Sequence, residues 1–223
     1  MAYDFDKIAE YYDRLNHLMT FGMDRRWRRR GAKWLTKGLW RPKCLDVAAG
    51  TGDLAFEMYC AGADEPVVCV DLSEKMLDIA RSKMSLEAEY IVADAESLPF
   101  GDESFDCVGC AFGIRNFVHL EQGLAEMVRV LKPGGRMMIL EMSTPDDKTL
   151  RPFYNIYTRL VIPWLGERLA NNREAYTYLP DSIERFPKGK KMIAKLESLG
   201  LKVRQRKLFF GVCRCYRCTK PQS

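Results

Sequence analysis

Leu45-Asp-Val-Ala-Ala-Gly-Thr-Gly-Asp53 joins a short apolar run to a glycine turn, and the fold prediction starts here. Residues 44–48 predict a buried strand, and a helix is expected to begin at Asp53. Gly50 and Gly52 let the backbone turn tightly and approach a ligand closely. The spacing Gly50-x-Gly52-x-x-Ala55 also fits a dinucleotide-binding fingerprint. The stretch therefore indicates a ligand-binding α/β unit without identifying the ligand.

Strand and helix signals alternate through the middle of the chain. Ser73 is a candidate N-cap for one helix, and Lys132-Pro-Gly-Gly135 stops another. Continuous apolar strands between amphipathic helices are typical of a parallel sheet covered on both faces. The last two strands are expected to form an antiparallel hairpin at one edge. The predicted strands are 44–48, 67–70, 90–93, 105–112, 137–140, 202–210 and 212–218, and the helical stripes are Met76, Leu77, Ala80 and Met84, then Leu120, Leu124, Met127, Val128 and Leu131.

All 223 residues are predicted to form a single domain. A chain of this length can bury roughly 70% of its unfolded surface, so it needs no disulfide or metal to fold. We divide it into a helical N-terminal lid, a cofactor-binding core, a helical substrate cap interrupted by prolines, and a closing helix with strands. These segments cover residues 1–35, 41–142, 145–187 and 188–223.

Charge and hydropathy narrow the class of protein. The 35 Lys and Arg against 30 Asp and Glu give a net charge of +5, too small for an obligate nucleic-acid-binding protein. No apolar run approaches the roughly 20 residues that span a bilayer. The first residues also lack the apolar stretch of a secretory signal. We therefore expect a cytoplasmic protein that does not bind nucleic acid.

Eight cysteines include two C-x-x-C pairs, Cys107/Cys110 and Cys215/Cys218. Without a secretory signal, reduced thiols are expected. A zinc site is one interpretation of the pairs and a redox motif is another. The first pair lies in an extended apolar run, where side chains three residues apart point to opposite faces. We therefore predict no metal site.

Polar groups follow the predicted strands where the carboxyl ends of a parallel sheet bind ligands. Asp71 ends the second strand, where a carboxylate can accept hydrogen bonds from both hydroxyls of a ribose. Asp94 ends the third strand and can accept from an adenine amino group; Ala95 follows it. Phe112-Gly-Ile-Arg-Asn116 ends the fourth strand.

The charge around the glycine loop distinguishes two nucleotides. NAD carries a pyrophosphate, which favours backbone N–H groups at a helix N-terminus. S-adenosylmethionine carries an ammonium and a sulfonium, which favour carboxylates. Asp46 and Asp53 flank the loop, so we predict S-adenosylmethionine and keep NAD as the alternative. Two of these carboxylates also have a purely structural interpretation. Asp46 could cap the loop or end a strand in solvent, and Asp94 could simply end a strand.

Several segments resemble the UbiE/MenG family of menaquinone and ubiquinone C-methyltransferases, and the resemblance covers nearly the whole chain. Gly113-Ile-Arg-Asn116 resembles a family segment that generic methyltransferases lack, whereas residues 127–136 are common to many class I methyltransferases. The remaining segments that carry it are residues 45–54, 94–100 and 105–107, the N-terminal stretches 5–13, 16–22 and 25–28, and the late stretch 178–187.

The resemblance implies a class I, Rossmann-like methyltransferase fold. Its mostly parallel seven-stranded sheet has helices on both faces. It implies methyl transfer from S-adenosylmethionine to a ring carbon of a prenylated quinol. Thr51, Asp71, Asp94 and Ala95 would contact the cofactor by matching position, and the residue analysis adds Asp46, Gly50 and Gly52. The chain departs from the family at four positions: Ala49 replaces a glycine, Ala111 a serine, and Asp24 and Tyr216 histidines.

We expect demethylmenaquinol as the acceptor, with the methoxy-benzoquinol of ubiquinone biosynthesis as the alternative. Two further alternatives are another small-molecule methyltransferase and a non-catalytic cofactor-binding module. The sequence leaves the oligomeric state open.

Arg115 and Asn116 are the candidate catalytic residues. Arginine is a poor proton acceptor, so Arg115 is expected to stabilise a developing phenolate or to hold a water that acts as base, and Asn116 to orient the oxygen. The structural alternative for Arg115 is a salt bridge at the rim of the sheet. His119 is a second candidate base, and Tyr11, Tyr12 and Asp13 belong to the lid.

The isoprenoid tail requires an apolar entry. Phe153, Ile156, Tyr157, Leu160 and Val161 have helical spacing and are expected to line it, with ordinary core as the alternative. A basic run could rest on anionic lipid headgroups as a transient membrane contact, or be a solvated helix face. RNA binding is a weaker use of this run, which contains Arg25, Arg26, Arg28, Arg29 and Arg30 with Trp27 and Trp34.

Overall fold

A computed structural model describes residue 6 and residues 9–63, 66–83, 88–170 and 173–222. Seven strands form one sheet, and the helices lie around it. The strands are β1 Cys44–Val47, β2 Val67–Asp71, β3 Ala88–Val92, β4 Phe105–Ala111, β5 Leu131–Met142, β6 Lys202–Leu208 and β7 Cys213–Thr219. The helices are α1 Ala9–Met19, α2 Met23–Thr36, α3 Asp53–Cys60, α4 Glu74–Lys83, α5 Leu120–Arg129, α6 Arg151–Ile156, α7 Ile162–Ala170, α8 Arg173–Arg185 and α9 Lys190–Ser198.

The sheet has the order β3-β2-β1-β4-β5-β7-β6. The first five strands pair in parallel, and β7 runs antiparallel to both β5 and β6. This confirms the predicted mostly parallel sheet and its closing hairpin. The order reverses beside β1, so the carboxyl ends of β1 and β4 border a crevice where ligands bind in such folds.

β5 is longer than the four-residue strand predicted from its apolar run. Helix α5 ends at Arg129 and β5 begins at Leu131, so Leu131 belongs to the strand rather than to the helical stripe. Phe105 pairs with Leu131 and Cys107 with Arg136, which leaves residues 132–135 in a bulge. Lys132-Pro-Gly-Gly135 thus breaks the strand register instead of separating helix from strand.

Apolar side chains alternate between the two covered faces of the sheet. Leu45 and Val47 pack on one face and Cys44 on the other, as the two-residue period of a strand requires. The same alternation separates both cysteine pairs. Cys107 and Cys215 lie on one face, and Cys110 and Cys218 lie on the opposite one. The two cysteines of each pair therefore cannot coordinate the same metal ion.

The proline-rich segment after β5 is helical. Residues 157–161 form a π-helical turn that joins α6 to α7 without a break in the chain direction. Pro152 and Pro163 lie near the starts of α6 and α7, where a missing N–H is tolerated. Among the described residues, no helix is both long and apolar enough to cross a bilayer.

Candidate functional site

A cavity of about 290 Å³ opens at the carboxyl ends of β1 to β4. Most of the residues predicted to bind the cofactor meet there. Gly52 is an exception, because it caps α3 in a left-handed conformation (φ 77°) and does not line the cavity. The predicted residues that do line it are Asp46, Gly50, Thr51, Asp71, Asp94, Ala95 and Asn116.

Asp71 holds the glycine loop from the end of the neighbouring strand. Its Oδ2 accepts a hydrogen bond from the Gly50 N–H at 2.7 Å, and its Oδ1 accepts from the Ser73 N–H at 2.9 Å. Burial raises the pKa of Asp71 despite these bonds. Gly50 can present its N–H in this way because its φ is +55°, which favours glycine. The carboxylate is thus fixed beside the loop.

Asp46 carries a buried oxygen without a partner. Its Oδ2 accepts from the Ala55 N–H at 2.9 Å, so Asp46 does cap the loop, as the structural alternative proposed. Its Oδ1 has no hydrogen-bond partner among the described residues. Burial raises the pKa of Asp46 to about 8. An unpartnered carboxylate oxygen at a cavity wall fits a cationic group, because buried charges need partners.

Asp53 was predicted to help attract the cationic cofactor, and the structure corrects this prediction. The charge of Asp53 is balanced by two cations of the chain itself. Its carboxylate lies 3.4 Å from Arg28 Nη1 and pairs with the Lys83 ammonium. Burial would raise the pKa of Asp53, but these two positive charges hold it below its ordinary value. His17, Asp24 and Asp53 form a cluster of described side chains with spacing suitable for a metal ion. Arg28 Nη1, however, lies 2.5 Å from Asp24 Oδ2, so a positive charge already balances this cluster.

Helix α1 closes over the glycine loop. Thr51 Oγ1 donates to Asp13 Oδ1 at 2.5 Å, and Lys83 Nζ lies 2.6 Å from Asp13 Oδ2. Asp6 also bonds to Ser73. The Thr51 hydroxyl thus bonds to α1, and Thr51 also lines the first cavity, where it was predicted to contact the cofactor.

A second cavity of about 360 Å³ lies beside the first and is mostly apolar. Tyr12, Arg28 and Phe112 line both cavities and form their common wall. Of the five residues predicted to line an apolar entry, Phe153 and Tyr157 do so. Ile156, Leu160 and Val161 do not line it and are exposed.

Two residues that line the second cavity carry a buried polar atom with no hydrogen-bond partner among the described residues. Arg115 Nη1 donates to Glu141 Oε1 at 2.7 Å and to the Phe112 carbonyl at 2.5 Å, so its structural alternative, the salt bridge, is present. Its Nε is nevertheless buried, and neither it nor the Tyr154 hydroxyl has a hydrogen-bond partner in the part of the chain that the structure describes. Burial raises the pKa of Tyr154, and the positive charge of Arg115 acts in the opposite sense. Each of these two buried donors lacks an acceptor, and an oxygen of a ligand is the kind of group that would satisfy it.

Sequence reasoning missed Glu141 and Tyr154. Glu141 directly follows the apolar run 137–140, so the strand-end rule that selected Asp71 and Asp94 could have found it. Tyr154 carried no comparable signal, because its role depends on contact between α6 and the sheet. His119, the second candidate base, is 68% exposed, pairs with Glu96 and lines neither cavity. Asn116 lines the first cavity and faces the Tyr178 hydroxyl at 3.5 Å.

The basic run of α2 does not form one surface. Arg28 and Trp27 are buried, whereas Arg25, Arg26, Arg29 and Arg30 are exposed. The two positions where the resembled family has histidine are structural here. Asp24 pairs with Arg28, and the Tyr216 hydroxyl accepts from the Gly189 N–H at 2.9 Å.

The sheet order and the crevice at its carboxyl ends define the fold of class I S-adenosylmethionine-dependent methyltransferases. The sheet matches two solved methyltransferase structures. One is from Haloferax volcanii, in complex with its Trm112 activator (TM-score 0.69, 18% identity, 98% of each chain). The other is from Thermotoga maritima and is described as a possible histamine N-methyltransferase (TM-score 0.63, 20% identity, 97% of each chain). At these identities the likeness shows the fold alone.

The chain belongs to the ubiE/COQ5 methyltransferase family, whose model matches residues 2–220. It is 42% identical to the demethylmenaquinone methyltransferase of Bacteroides fragilis, over 97% of this chain and 90% of that one. It is 44% identical to the ubiquinone/menaquinone biosynthesis C-methyltransferase UbiE of Geobacter sulfurreducens (95% and 85%). It is 38% identical to the mitochondrial 2-methoxy-6-polyprenyl-1,4-benzoquinol methylase of Caenorhabditis elegans (98% and 79%).

Proposed function

We propose that the chain transfers a methyl group from S-adenosylmethionine to a ring carbon of a prenylated quinol, with demethylmenaquinol as the acceptor. The observation that carries this proposal is the pair of adjoining cavities, one acidic and one apolar, which share Tyr12, Arg28 and Phe112 as a wall. A charged donor and a lipid-like acceptor need two such environments in contact. The names of the relatives supply the acceptor class.

The first cavity fits the donor. The unpartnered Asp46 Oδ1 would hold the ammonium, Asp71 the ribose hydroxyls, and Asp94 with Ala95 the adenine end. When bound, S-adenosylmethionine supplies a methyl group already activated by its sulfonium. Helix α1, held to Thr51 and Lys83 through Asp13, would keep water out.

In the second cavity, Arg115 Nε and the Tyr154 hydroxyl would donate to one oxygen of the quinol. A phenol ordinarily has a pKa of about 10, so its ring carbon is a weak nucleophile near neutral pH. Two buried donors favour the phenolate and make the ring electron-rich. Glu141 fixes the Arg115 guanidinium, and Asn116 would orient the ring from the donor side. In the net reaction the S–CH3 bond of the donor would break to leave the neutral thioether S-adenosylhomocysteine. The ring carbon would form the new C–CH3 bond, and its proton would be released to solvent.

A labelled-methyl assay tests the function. The enzyme is given methyl-labelled S-adenosylmethionine with a short-tailed demethylmenaquinol or with a demethylated methoxy-benzoquinol, both reduced. We expect label in the naphthoquinol. Label in the benzoquinol alone would support the ubiquinone alternative, which the relative from Caenorhabditis elegans keeps open. Label in neither, with donor binding intact, would contradict the acceptor class.

Tyr154→Phe tests the donor pair. Loss of one donor to a developing oxyanion lowers turnover on the order of 10²-fold. Affinity for S-adenosylmethionine should not change, because Tyr154 does not line the first cavity. Tyr90→Phe is the control, since it removes a hydroxyl that faces the Ala80 carbonyl, away from both cavities. Equal turnover in the two variants would exclude Tyr154 from the reaction.

We also infer that the protein works on the cytoplasmic face of a membrane, in transient contact with it. A prenylated quinol resides in the bilayer, so the enzyme must reach its acceptor at the membrane. Exposed cations on α2, such as Arg26 and Arg30, are one candidate contact.

A further inference from the structure

Large aromatic side chains surround the mouth of the second cavity and are exposed. Phe21, Phe153 and Phe210 are 75%, 73% and 73% exposed, and Phe209 is 49% exposed. All four line the cavity, so they lie around one opening. We call these four residues the aromatic rim. Exposed aromatic side chains grouped at one opening mark an interaction surface more often than isolated ones do.

Three rim residues have a strained backbone. Phe21, Phe209 and Phe210 have φ angles of 53°, 44° and 54°, in the left-handed region that bulky side chains avoid. Glycine or asparagine would adopt the same conformation more easily. Because these phenylalanines are largely exposed, burial in the core does not compensate the strain. The strain therefore points to a role for the rings outside the monomer.

An apolar stripe extends the rim along the helical segment from α6 to α7. Ile156, Leu160 and Trp164 follow Phe153 at intervals of three, seven and eleven residues, which is one helix face. They are 56%, 66% and 57% exposed. The rim and stripe are continuous through Phe153. Together they form an apolar face around the entrance of the second cavity.

The hairpin that carries Phe209 and Phe210 at its tip is cationic. Residues 202–219 contain six Lys and Arg and no Asp or Glu. Four of these cations, Lys202, Arg204, Arg206 and Lys207, are exposed on the edge strand β6, and Lys207 pairs with Asp146. A strand rises about 3.4 Å per residue, so Arg206 lies roughly 10 Å along the chain from Phe209. That is about the depth to which interfacial apolar groups enter a bilayer below its headgroups.

We propose that this apolar face, with the cations of β6 beside it, docks on an anionic lipid bilayer. The inference rests on the proposed function, since docking here would place the bilayer at the mouth of the acceptor cavity. The positive charge of β6 complements anionic headgroups while the rim and stripe enter the interface. The proposal differs from contact through α2, where Arg28 and Trp27 are buried within the fold.

The first experiment is co-sedimentation with vesicles of phosphatidylcholine, with and without phosphatidylglycerol. Phe209→Asn/Phe210→Asn should lower the affinity for the anionic vesicles by about tenfold or more. Its melting temperature should not fall, because asparagine relieves the left-handed strain. Trp40→Asn is the control: Trp40 is 89% exposed and precedes β1, at the opposite end of the strands. Equal vesicle affinity for both variants would overturn the proposal.

The second experiment compares two charge reversals. Arg204→Glu/Arg206→Glu should weaken binding to anionic vesicles by about tenfold and leave phosphatidylcholine binding unchanged. Arg26→Glu/Arg30→Glu, the same change on α2, should have a much smaller effect. If the α2 reversal weakened vesicle binding more than the β6 reversal, α2 would be the docking surface and the proposal would be overturned.

Methyl transfer in solution separates this proposal from the function on which it rests. Leu160→Gln/Trp164→Gln and Arg204→Glu/Arg206→Glu change residues outside both cavities, so turnover with a short-tailed quinol should be unchanged. Turnover with a long-tailed quinol in vesicles should fall. Wild-type protein that binds vesicles but methylates no quinol would contradict the function alone. Two other outcomes would overturn the docking proposal. One is that the wild-type protein is a dimer and Leu160→Gln/Trp164→Gln dissociates it. The other is that the protein binds RNA and the β6 charge reversal removes this binding without affecting vesicle binding.

Discussion

The carboxylate of Asp71 has two tasks in the proposed donor site, because it holds the Gly50 N–H and would accept from the ribose. Asp71→Ala should weaken S-adenosylmethionine binding by about 1–3 kcal/mol, since both the ribose hydroxyls and the loop N–H lose an acceptor. Calorimetry measures the change. Asp71→Asn keeps one acceptor oxygen and should lose less. Affinity unchanged in the alanine variant would remove Asp71 from the donor site.

Asp46 should make the free energy of unfolding depend on pH. Its pKa of about 8 lies above the ordinary carboxyl value, so between about pH 4 and 8 the folded state retains a proton that the unfolded state has lost. The stability contributed by this group is full below about pH 4 and is lost as pH rises through 8. Asp46→Asn should therefore flatten the dependence of the unfolding free energy on pH over this range, as urea titrations would measure.

Donor binding should release a proton at the same residue. A cationic ammonium favours the ionised Asp46, so affinity should rise as pH approaches 8. Calorimetry at neutral pH in buffers of different ionisation enthalpy would detect the release. Asp46→Asn should abolish it. Equal proton release from the variant would assign the effect to another group.

At the scale of elements, Gly113 lets the turn after β4 approach the glycine loop after β1. A Cβ on Gly113 would lie 2.6 Å from the Ala48 Cβ and 3.3 Å from the Ala48 carbonyl oxygen. Gly113→Ala should destabilise the fold by about 1–3 kcal/mol and displace the turn that carries Arg115 and Asn116. Urea unfolding measures the first effect. Gly101→Ala is the control, because its Cβ would meet only Ser104 Oγ, at 3.7 Å.

The observed bounds of helices and strands show where the local sequence pattern predicts secondary structure correctly. Ser73 caps α4 as predicted, with its Oγ accepting from the Met76 N–H at 3.0 Å. The strands whose ends carry Asp71 and Asp94 were also located to within two residues. β5 was not, because its first half is a bulge paired with β4 at a shifted register. Register depends on the neighbouring strand, which the sequence of β5 does not encode locally.

At the scale of the whole molecule, ion pairs join helix α1 to the sheet region that carries the glycine loop. Lys83 pairs with Asp13 on α1 and with Asp53 beside the glycine loop. Lys83→Met should speed amide hydrogen exchange in α1 and weaken donor retention, because the lid opens more often. Lys132→Met, which removes the 2.8 Å pair with Asp106 elsewhere, is the matched control. Equal exchange in α1 for both variants would show that Lys83 does not hold the lid.

The meeting of the proposed donor-site residues at one cavity was predictable from sequence because its determinants are local. A strand is recognised from a short apolar run, and the next polar residue lies at the edge of the sheet where ligands bind. Asp71 and Asp94 follow from this rule, whereas Asp46 was selected because it flanks the glycine loop. Their charge then favoured a cationic nucleotide over NAD. The family resemblance added the acceptor class, which the strand ends do not encode.

The proposed acceptor site depended mainly on tertiary structure, although Arg115, Phe153 and Tyr157 were selected from the sequence. The second cavity brings together Tyr12 of α1, Phe112 after β4, Tyr154 of α6 and Phe210 of the hairpin tip, which are distant along the chain. Packing also determined which polar atoms were satisfied. Glu141 accepts from the Arg115 backbone N–H and from Nη1, whereas Arg115 Nε and the Tyr154 hydroxyl have no partner among the described residues. Such partnerships depend on the distances between elements, and no local pattern specifies those distances.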